Sequence, residues 1–197
     1  MIEAVDDDGY SDAEQERLAR NLLALADDVH RGHYLAQACD GALLHELHRR
    51  LFDGVRDHGG RSRSRDFGSE WLNFGPNRSV DRDRVPGRLD ALFAELGKYI
   101  RSFDDDPNDP EYSTKAVHLA AWVHAELIKI HPFQDGNGRS TRAFMNAVLV
   151  RLGMRPIAVE TCKQEYCETL NYYYERGDRQ PLVDLFLRLY AAELRNR

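Results

Sequence analysis

Twelve consecutive residues, His131-Pro132-Phe133-Gln134-Asp135-Gly136-Asn137-Gly138-Arg139-Ser140-Thr141-Arg142, concentrate the reactive chemistry of this 197-residue chain. They combine one titratable imidazole, one carboxylate, a Gly-Asn-Gly turn and two arginines. Such a set can hold a phosphate and move a proton. Gly136 and Gly138 lack the Cβ atoms that would obstruct a tight turn, so successive backbone N–H groups can converge on an anion. The turn leads into a helix predicted from about Arg139, whose first N–H groups lack helical acceptors and whose dipole is positive at that end. Arg139 and Arg142, three apart, project from one side of the first turn and can grip phosphate oxygens. Asp135 is a hard oxygen ligand suited to Mg²⁺, which commonly arrives carrying phosphates and water. His131, with an unperturbed pKa near about 6.5, can accept a proton at neutral pH.

Two helices must position this loop. Ser113 or Thr114 starts an apolar segment running to Ile130, in which Val117, Ala120, Ala121, Leu127 and Ile128 mark a central helix buried on much of its surface. Beyond the loop, the segment from Arg139 to Leu152 carries Phe144, Val148 and Leu149 inward and stops at Gly153. His118 and His124 fall on the central helix and read as satisfied core histidines.

The remaining elements surround that pair. Residues 1–10 are acidic and weakly hydrophobic, a flexible tail. Ser11, followed by Asp12, Glu14 and Glu16, caps a first amphipathic helix bearing Leu18, Leu22, Leu25 and Val29 and ending near Gly32. A second helix runs from about Tyr34 to Val55, with Leu43, Leu44, Leu47, Leu51 and Phe52 on its apolar face. His30 with His33, and His45 with His48, have i,i+3 spacing, but no third ligand completes a metal site, so these are surface or partly buried helix residues. From Arg61 to Pro86 the helical period lapses, and Phe67, Trp71, Leu72 and Phe74 precede a Gly75-Pro76-Asn77 turn: a loop with a short hairpin. Val85 to Ile100 resumes the helix on Leu89, Leu92, Phe93 and Leu96, and an acidic loop over 104–111 breaks it. Thr161 caps a helix reaching Glu175 that presents Tyr166, Cys167, Leu170, Asn171, Tyr173 and Tyr174, and Pro181 begins a closing helix with Leu182, Leu185, Phe186, Leu189 and Tyr190. The fold class is all-α, with seven or eight helices and one small hairpin, and residues 11–197 form a single domain.

Composition narrows the function. A net charge of −6 argues against general nucleic-acid binding, which demands a basic face. Residues 56–88 hold eight arginines against five acids, which reads as a solvated arginine-rich surface, the alternative being a patch that attracts a nucleotide or an acidic target. Cys39, Cys162 and Cys167 have no tight pair spacing, so neither a disulfide framework nor a zinc site is expected. With no basic-then-apolar leader and no run of about 18 apolar residues, no membrane association is expected and the chain is expected to be cytoplasmic.

The run from His131 to Arg142 resembles the signature of the Fic (Fic/Doc) family, His-Pro-Phe-x-Asp/Glu-Gly-Asn-Gly-Arg-x-x-Arg, at every defined position. The likeness is diffuse over about residues 34–190. It implies a Fic-type helical domain that transfers AMP from ATP, with Mg²⁺, to a Ser, Thr or Tyr hydroxyl of a target protein. In that reading His131 is the general base and Phe133 a buried anchor. Asp135 holds Mg²⁺, Gly136, Asn137, Gly138 and Arg139 form the anion hole, and Arg142 orients the far phosphate. Tyr166 and Asn171 fall where the family builds its base pocket. The segment from about Phe67 to Phe74 looks like the family's flap, on which a target backbone docks. Relatives that transfer phosphate, UMP or phosphocholine, and an inactive nucleotide-binding or protein-binding module, are the alternatives. Intact Gly138 and Arg142 favour AMP transfer, and intact His131 disfavours an inactive module. The family's inhibitory pattern, Ser/Thr-x-x-x-Glu-Gly/Asn, is not matched: Ser11 is followed four residues later by Gln15, and Thr161-Cys162-Lys163-Gln164-Glu165 continues with Tyr166. A toxin-like role is therefore expected, restrained by a separate antitoxin-like protein or by homo-oligomerisation.

Overall fold

The structure, a computed structural model, describes residues 9–106, 108–159 and 163–195. In chain order it contains α1 (Asp12–His30), α2 (Gly41–Leu51), β1 (Asn73–Phe74), β2 (Asn77–Arg78), α3 (Val85–Asp105), α4 (Tyr112–Ile130), α5 (Asn137–Arg151), α6 (Lys163–Arg176) and α7 (Gln180–Arg195). Seven helices and one hairpin among the described residues agree with the all-α expectation. A single 3₁₀ turn, Arg82–Arg84, leads into α3.

Eleven of the nineteen residues of α4 are buried, from Ala116 to Ile130, because apolar side chains occupy nearly its whole circumference. It packs on α3, α5 and α7, while α1 and α2 cover the outer side of α5. Apolar residues from all seven helices merge into one core. α4 and α5 are joined by only six residues, so the reactive loop is clamped at both ends by buried helices.

Local signals explain most boundaries. Ser11 and Glu14 form a reciprocal capping box that starts α1. α2 starts at Gly41 rather than Tyr34, because Asp40 Oδ1 accepts the N–H groups of Ala42 and Leu43 at 2.9 and 3.2 Å. Residues 31–36 are turns that include Gly32 at φ +75°, and α2 ends at Leu51, short of Val55. α3 continues to Asp105, five residues past Ile100, so the acidic loop begins later than its composition suggests. α5 begins at Asn137, two residues before Arg139. The Thr161 cap and Cys162 lie outside the described residues, as do residues 1–8 of the acidic tail. Tyr10, assigned to that tail, is half-buried and engaged in the site described below.

β1 and β2 pair antiparallel, Asn73 with Arg78 and Phe74 with Asn77, across a Gly75-Pro76 turn. Gly75 at φ +55° supplies the left-handed first turn residue that a two-residue hairpin needs. The expected hairpin therefore exists, and the Phe67–Phe74 stretch supplies its first strand, which ends at the tip with Phe74. As the N-cap of α2, Asp40 serves two N–H groups, so Asp40→Ala should lower stability by about 1 kcal/mol, read as a shifted urea midpoint with unchanged slope.

Candidate active site

His131 is the C-cap of α4 and sits in the left-handed region at φ 53°, ψ 61°, the one non-glycine described residue that does so. Its N–H donates to Leu127 O at 2.9 Å, which satisfies a carbonyl at the end of the helix. Its Nδ1 lies 3.1 Å from Ile128 O. A carbonyl can only accept, so Nδ1 carries the hydrogen and Nε2 is left with a free lone pair. Burial pushes the imidazole pKa down to about 4, against the raising effect of the Ile128 bond and reinforced by the charge of Arg63. The ring is neutral at pH 7 and ready to accept a proton. Phe74, at the hairpin tip, stacks on it with centroids 4.9 Å apart and planes within 8°.

Phe133 plugs the loop into the core, fully buried. The side chain of Asn137 clasps its backbone from both sides, accepting from Phe133 N–H at 2.9 Å and donating to Phe133 O at 2.8 Å. Behind Phe133 stands His48, stacked at 3.7 Å and 11°. Gly60 N–H donates to His48 Nδ1 at 2.8 Å, so the hydrogen resides on Nε2 and is donated to Asp135 O at 3.1 Å. Burial pushes the His48 pKa to about 3. His45 lies edge-on to Phe133 and reaches Ser62 Oγ at 2.6 Å. The two histidines read as surface or partly buried are thus the backing of the loop, and His48 has no exposed area at all.

The phosphate-type features follow at the start of α5. Gly136, the N-cap, takes φ +69°, and a Cβ there would lie 2.4 Å from the Phe52 ring, so both backbone and packing require glycine. Among the described residues no side-chain hydrogen bond caps this helix end; the Gly136 N–H itself donates to Asp135 Oδ1, and a helix N-terminus is a favourable place for an anion. A Cβ at Gly138 would lie 3.2 Å from Arg142 Nη1, so the absence of a side chain there makes room for that guanidinium. Arg142 also lines a cavity of about 320 Å³ with Asn146, Arg155 and the α1 residues Leu22 and Leu25. Arg139 Nη2 donates to Asp135 Oδ1 at 3.2 Å. A larger hollow of about 670 Å³, lined by Tyr99, Lys115 and Trp122 among others, contains none of the loop residues.

Asp135 offers one hard carboxylate to a cation, and among the described residues no group of three or more His, Cys, Asp or Glu side chains surrounds it. That donor set fits a Mg²⁺ whose remaining ligands are phosphates and water. The Tyr10 hydroxyl donates to Asp135 Oδ2. Arg56 holds Tyr10 there, with its guanidinium 4.3 Å above the ring, a bond to Gly9 O at 3.3 Å and an ion pair with Glu14.

The structure places His131, Asp135 and Gly136 on the short connection between α4 and α5, and Asn137, Gly138, Arg139 and Arg142 on the first two turns of α5. It leaves Tyr166 inside the core, with its hydroxyl 2.5 Å from His124 Nε2, and gives Asn171 a different partner, Asn77 Nδ2 at 2.6 Å, which ties α6 to the hairpin. Four contributors were given no role in the site from the sequence: Tyr10, His48, Gln134 and Arg63. Gln134 Oε1 accepts Ser69 N–H at 2.8 Å. Arg63, counted above as one of a solvated cluster, is fully buried. Only His48 had a legible signal, since Leu44, His48 and Leu51 share one helical face.

Residues 39–149 match the Fic/DOC family, more than half of the chain. The chain belongs to the Fic/DOC family. A protein adenylyltransferase Fic from Nematostella vectensis is 38% identical over 92 residues, covering 45% of this chain and 21% of that protein. One from Drosophila willistoni is 38% identical over 102 residues, covering 50% and 20%. The chain thus spans about a fifth of the length of these curated relatives. Among solved structures, the BepC protein of Bartonella tribocorum, with bound AMPPNP, superposes with a TM-score of 0.70 at 20% identity over 90% of this chain and 86% of that one. A Fic family protein from Desulfovibrio desulfuricans gives 0.70 at 22% identity, over 94% and 54%. These likenesses extend the Fic fold beyond the matched region to nearly the whole chain.

Two expectations follow from the site. His48 and His124, both without exposed area, have pKa values pushed by burial to about 3, against about 6.5 in the unfolded chain. A depressed folded pKa means that stability is full above about 6.5 and is lost as the pH falls toward the folded values. The pair should cost about 3 kcal/mol between pH 6.5 and 5, read from urea midpoints, with a smaller loss in His48→Gln. An unchanged midpoint over that range would mean that both rings charge in place. Separately, Tyr10→Phe should tighten Mn²⁺ binding in the presence of ATP by about fivefold, followed by electron paramagnetic resonance of the free ion, because one hydrogen bond to the carboxylate is removed.

Proposed function

We propose that this Fic domain transfers AMP from ATP to a hydroxyl group of a target protein. The observation that carries the reading is the His131 imidazole, neutral and with Nδ1 committed to Ile128 O, at one rim of a loop whose other rim is the uncapped start of α5 with Arg139 and Arg142. The names of the curated relatives, protein adenylyltransferases, support the same chemistry.

In this mechanism the triphosphate lies against the first turn of α5. Backbone N–H groups of the Gly136-Asn137-Gly138 turn and the Arg139 guanidinium receive the inner phosphates, and Arg142 orients the outer one. Asp135 would hold Mg²⁺, which neutralises phosphate charge when bound. His131 Nε2 takes the proton from the target hydroxyl as its oxygen attacks the α-phosphorus. The bond from that phosphorus to the bridging oxygen breaks, and pyrophosphate departs. Positioning and charge complementarity supply most of the acceleration, since the protein forms no covalent intermediate. A pKa near 4 keeps the base unprotonated well below neutral pH, so the acid limb of the rate should fall below pH 5.

The target backbone is proposed to lie along the hairpin, whose tip residue Phe74 contacts the base. The proposed restraint by a separate antitoxin-like protein or by self-association, and with it a toxin-like role, rests on the sequence alone. The test uses ATP labelled at either the α or the γ position, incubated with the protein and cell lysate. Label from the α position alone should reach protein targets. His131→Ala should reduce that transfer by at least about a thousandfold while leaving nucleotide affinity within twofold, because the base touches the nucleophile and not the phosphates. Transfer of the γ label, or undiminished transfer by His131→Ala, would remove the mechanism.

A further inference from the structure

We infer that Arg63 is a positioning residue that locks the hairpin and the His131 base into one unit, so that a hydroxyl presented along the hairpin arrives at Nε2. The inference rests on the AMP-transfer reading for its catalytic consequence and on the geometry alone for the lock itself.

Arg63 is fully buried and is the largest such side chain described. None of its six side-chain hydrogen bonds goes to a carboxylate. Nε donates to His131 O at 2.8 Å, and Nη1 to Ser69 O and Glu70 O, both at 3.1 Å. Nη2 donates to Ser79 Oγ at 3.2 Å, Val80 O at 2.8 Å and Ile130 O at 3.2 Å. These acceptors belong to three separate stretches: the segment leading into β1, the segment leaving β2, and the end of α4. The guanidinium carries its donors in a rigid plane, so bonding all three stretches at once fixes their relative placement.

The neighbouring contacts show why that placement matters at the base. Arg63 N–H donates to Pro132 O at 2.7 Å, next to the His131 carbonyl that Nε holds. Ser79 Oγ, held by Nη2, in turn accepts Leu72 N–H at 2.8 Å across the hairpin base. The tip residue Phe74 then meets the His131 ring face to face. A non-glycine residue at positive φ persists when its surroundings over-determine it. Here the guanidinium grips the carbonyls on both sides of the His131 N–H. Lysine could not substitute, because a single ammonium offers three donors from one point and cannot span three stretches. The start of α5 depends on other contacts, the Asn137 clasp and the His48 bond to Asp135 O. The lock is therefore separable from phosphate binding.

The test compares wild type, Arg63→Lys and Arg63→Ala. Nucleotide affinity, measured with a fluorescent ATP analogue, should stay within about threefold, while transfer to the target falls about a hundredfold, the usual cost of a small misplacement of reacting groups. Guanidinium ion added at millimolar concentration should restore part of the transfer in Arg63→Ala and none in Arg63→Lys. A parallel loss of nucleotide affinity and transfer, or transfer close to wild type in both variants, would overturn the inference. Hydrogen exchange supplies a readout independent of the reaction: in Arg63→Lys the amides of Ser79 and Val80 should exchange about tenfold faster, with those of residues 137–142 unchanged. Unchanged exchange at the hairpin would refute the lock even if AMP transfer is real. An absence of transfer by wild type together with faster hairpin exchange would instead sink the function and keep the lock. Should Arg63→Ala fail to fold, Arg63→Lys carries both readouts.

Discussion

The rest of the site depends on one constraint: the chain must leave α4 and enter α5 within six residues while both helices stay packed against each other. Two left-handed positions, His131 and Gly136, make the reversal. Between them Phe133 anchors the loop in the core, and Asn137 supplies the hydrogen bonds that its buried backbone would otherwise lack. An unpaired buried N–H or C=O costs about 1–3 kcal/mol, so this clasp does as much for the loop as the apolar plug does. His131 and the first turn of α5 are consequently held apart by a packed spacer.

Around that spacer the polar groups divide by role. His48 and Asn137 are buried, neutral and fully engaged with backbone, and they set the shape of the loop. His131 engages the backbone through Nδ1, while Asp135 is shared among the Tyr10 hydroxyl, the Gly136 N–H and Arg139. The division explains why a histidine with a strongly depressed pKa need not be catalytic. His48 and His131 are both pushed down by burial, but His48 has both nitrogens committed to backbone, whereas His131 keeps Nε2. Hydrogen bonding, more than the pKa, separates the scaffold histidine from the proposed base.

Tyr10 adds a further layer. Its hydroxyl occupies one oxygen of the carboxylate assigned to the cation, and Arg56 fixes it there. The α1 segment is thus more than a covering helix: its capping residue Glu14 shares Arg56 with the tyrosine.

The sequence by itself marked out residues 131–142, because the histidine, the Gly-Asn-Gly turn and the two arginines match the Fic/DOC signature at every defined position. It also determined the helical class, through apolar periodicity on α1, α3, α4, α5 and α7, and the hairpin, through Gly75-Pro76. Tertiary structure alone decided the fate of Arg63, Tyr10 and the base-pocket residues. An arginine among seven others in a polar stretch has no periodic signature, and its burial is possible only because three distant stretches aim carbonyls at one point. Tyr166 and Asn171 lie five residues, about 1.4 turns, apart on α6, so helical spacing sends them in different directions. Which one meets His124 and which one meets the hairpin is set by how α6 packs on α4, and packing of that kind is written in no local pattern.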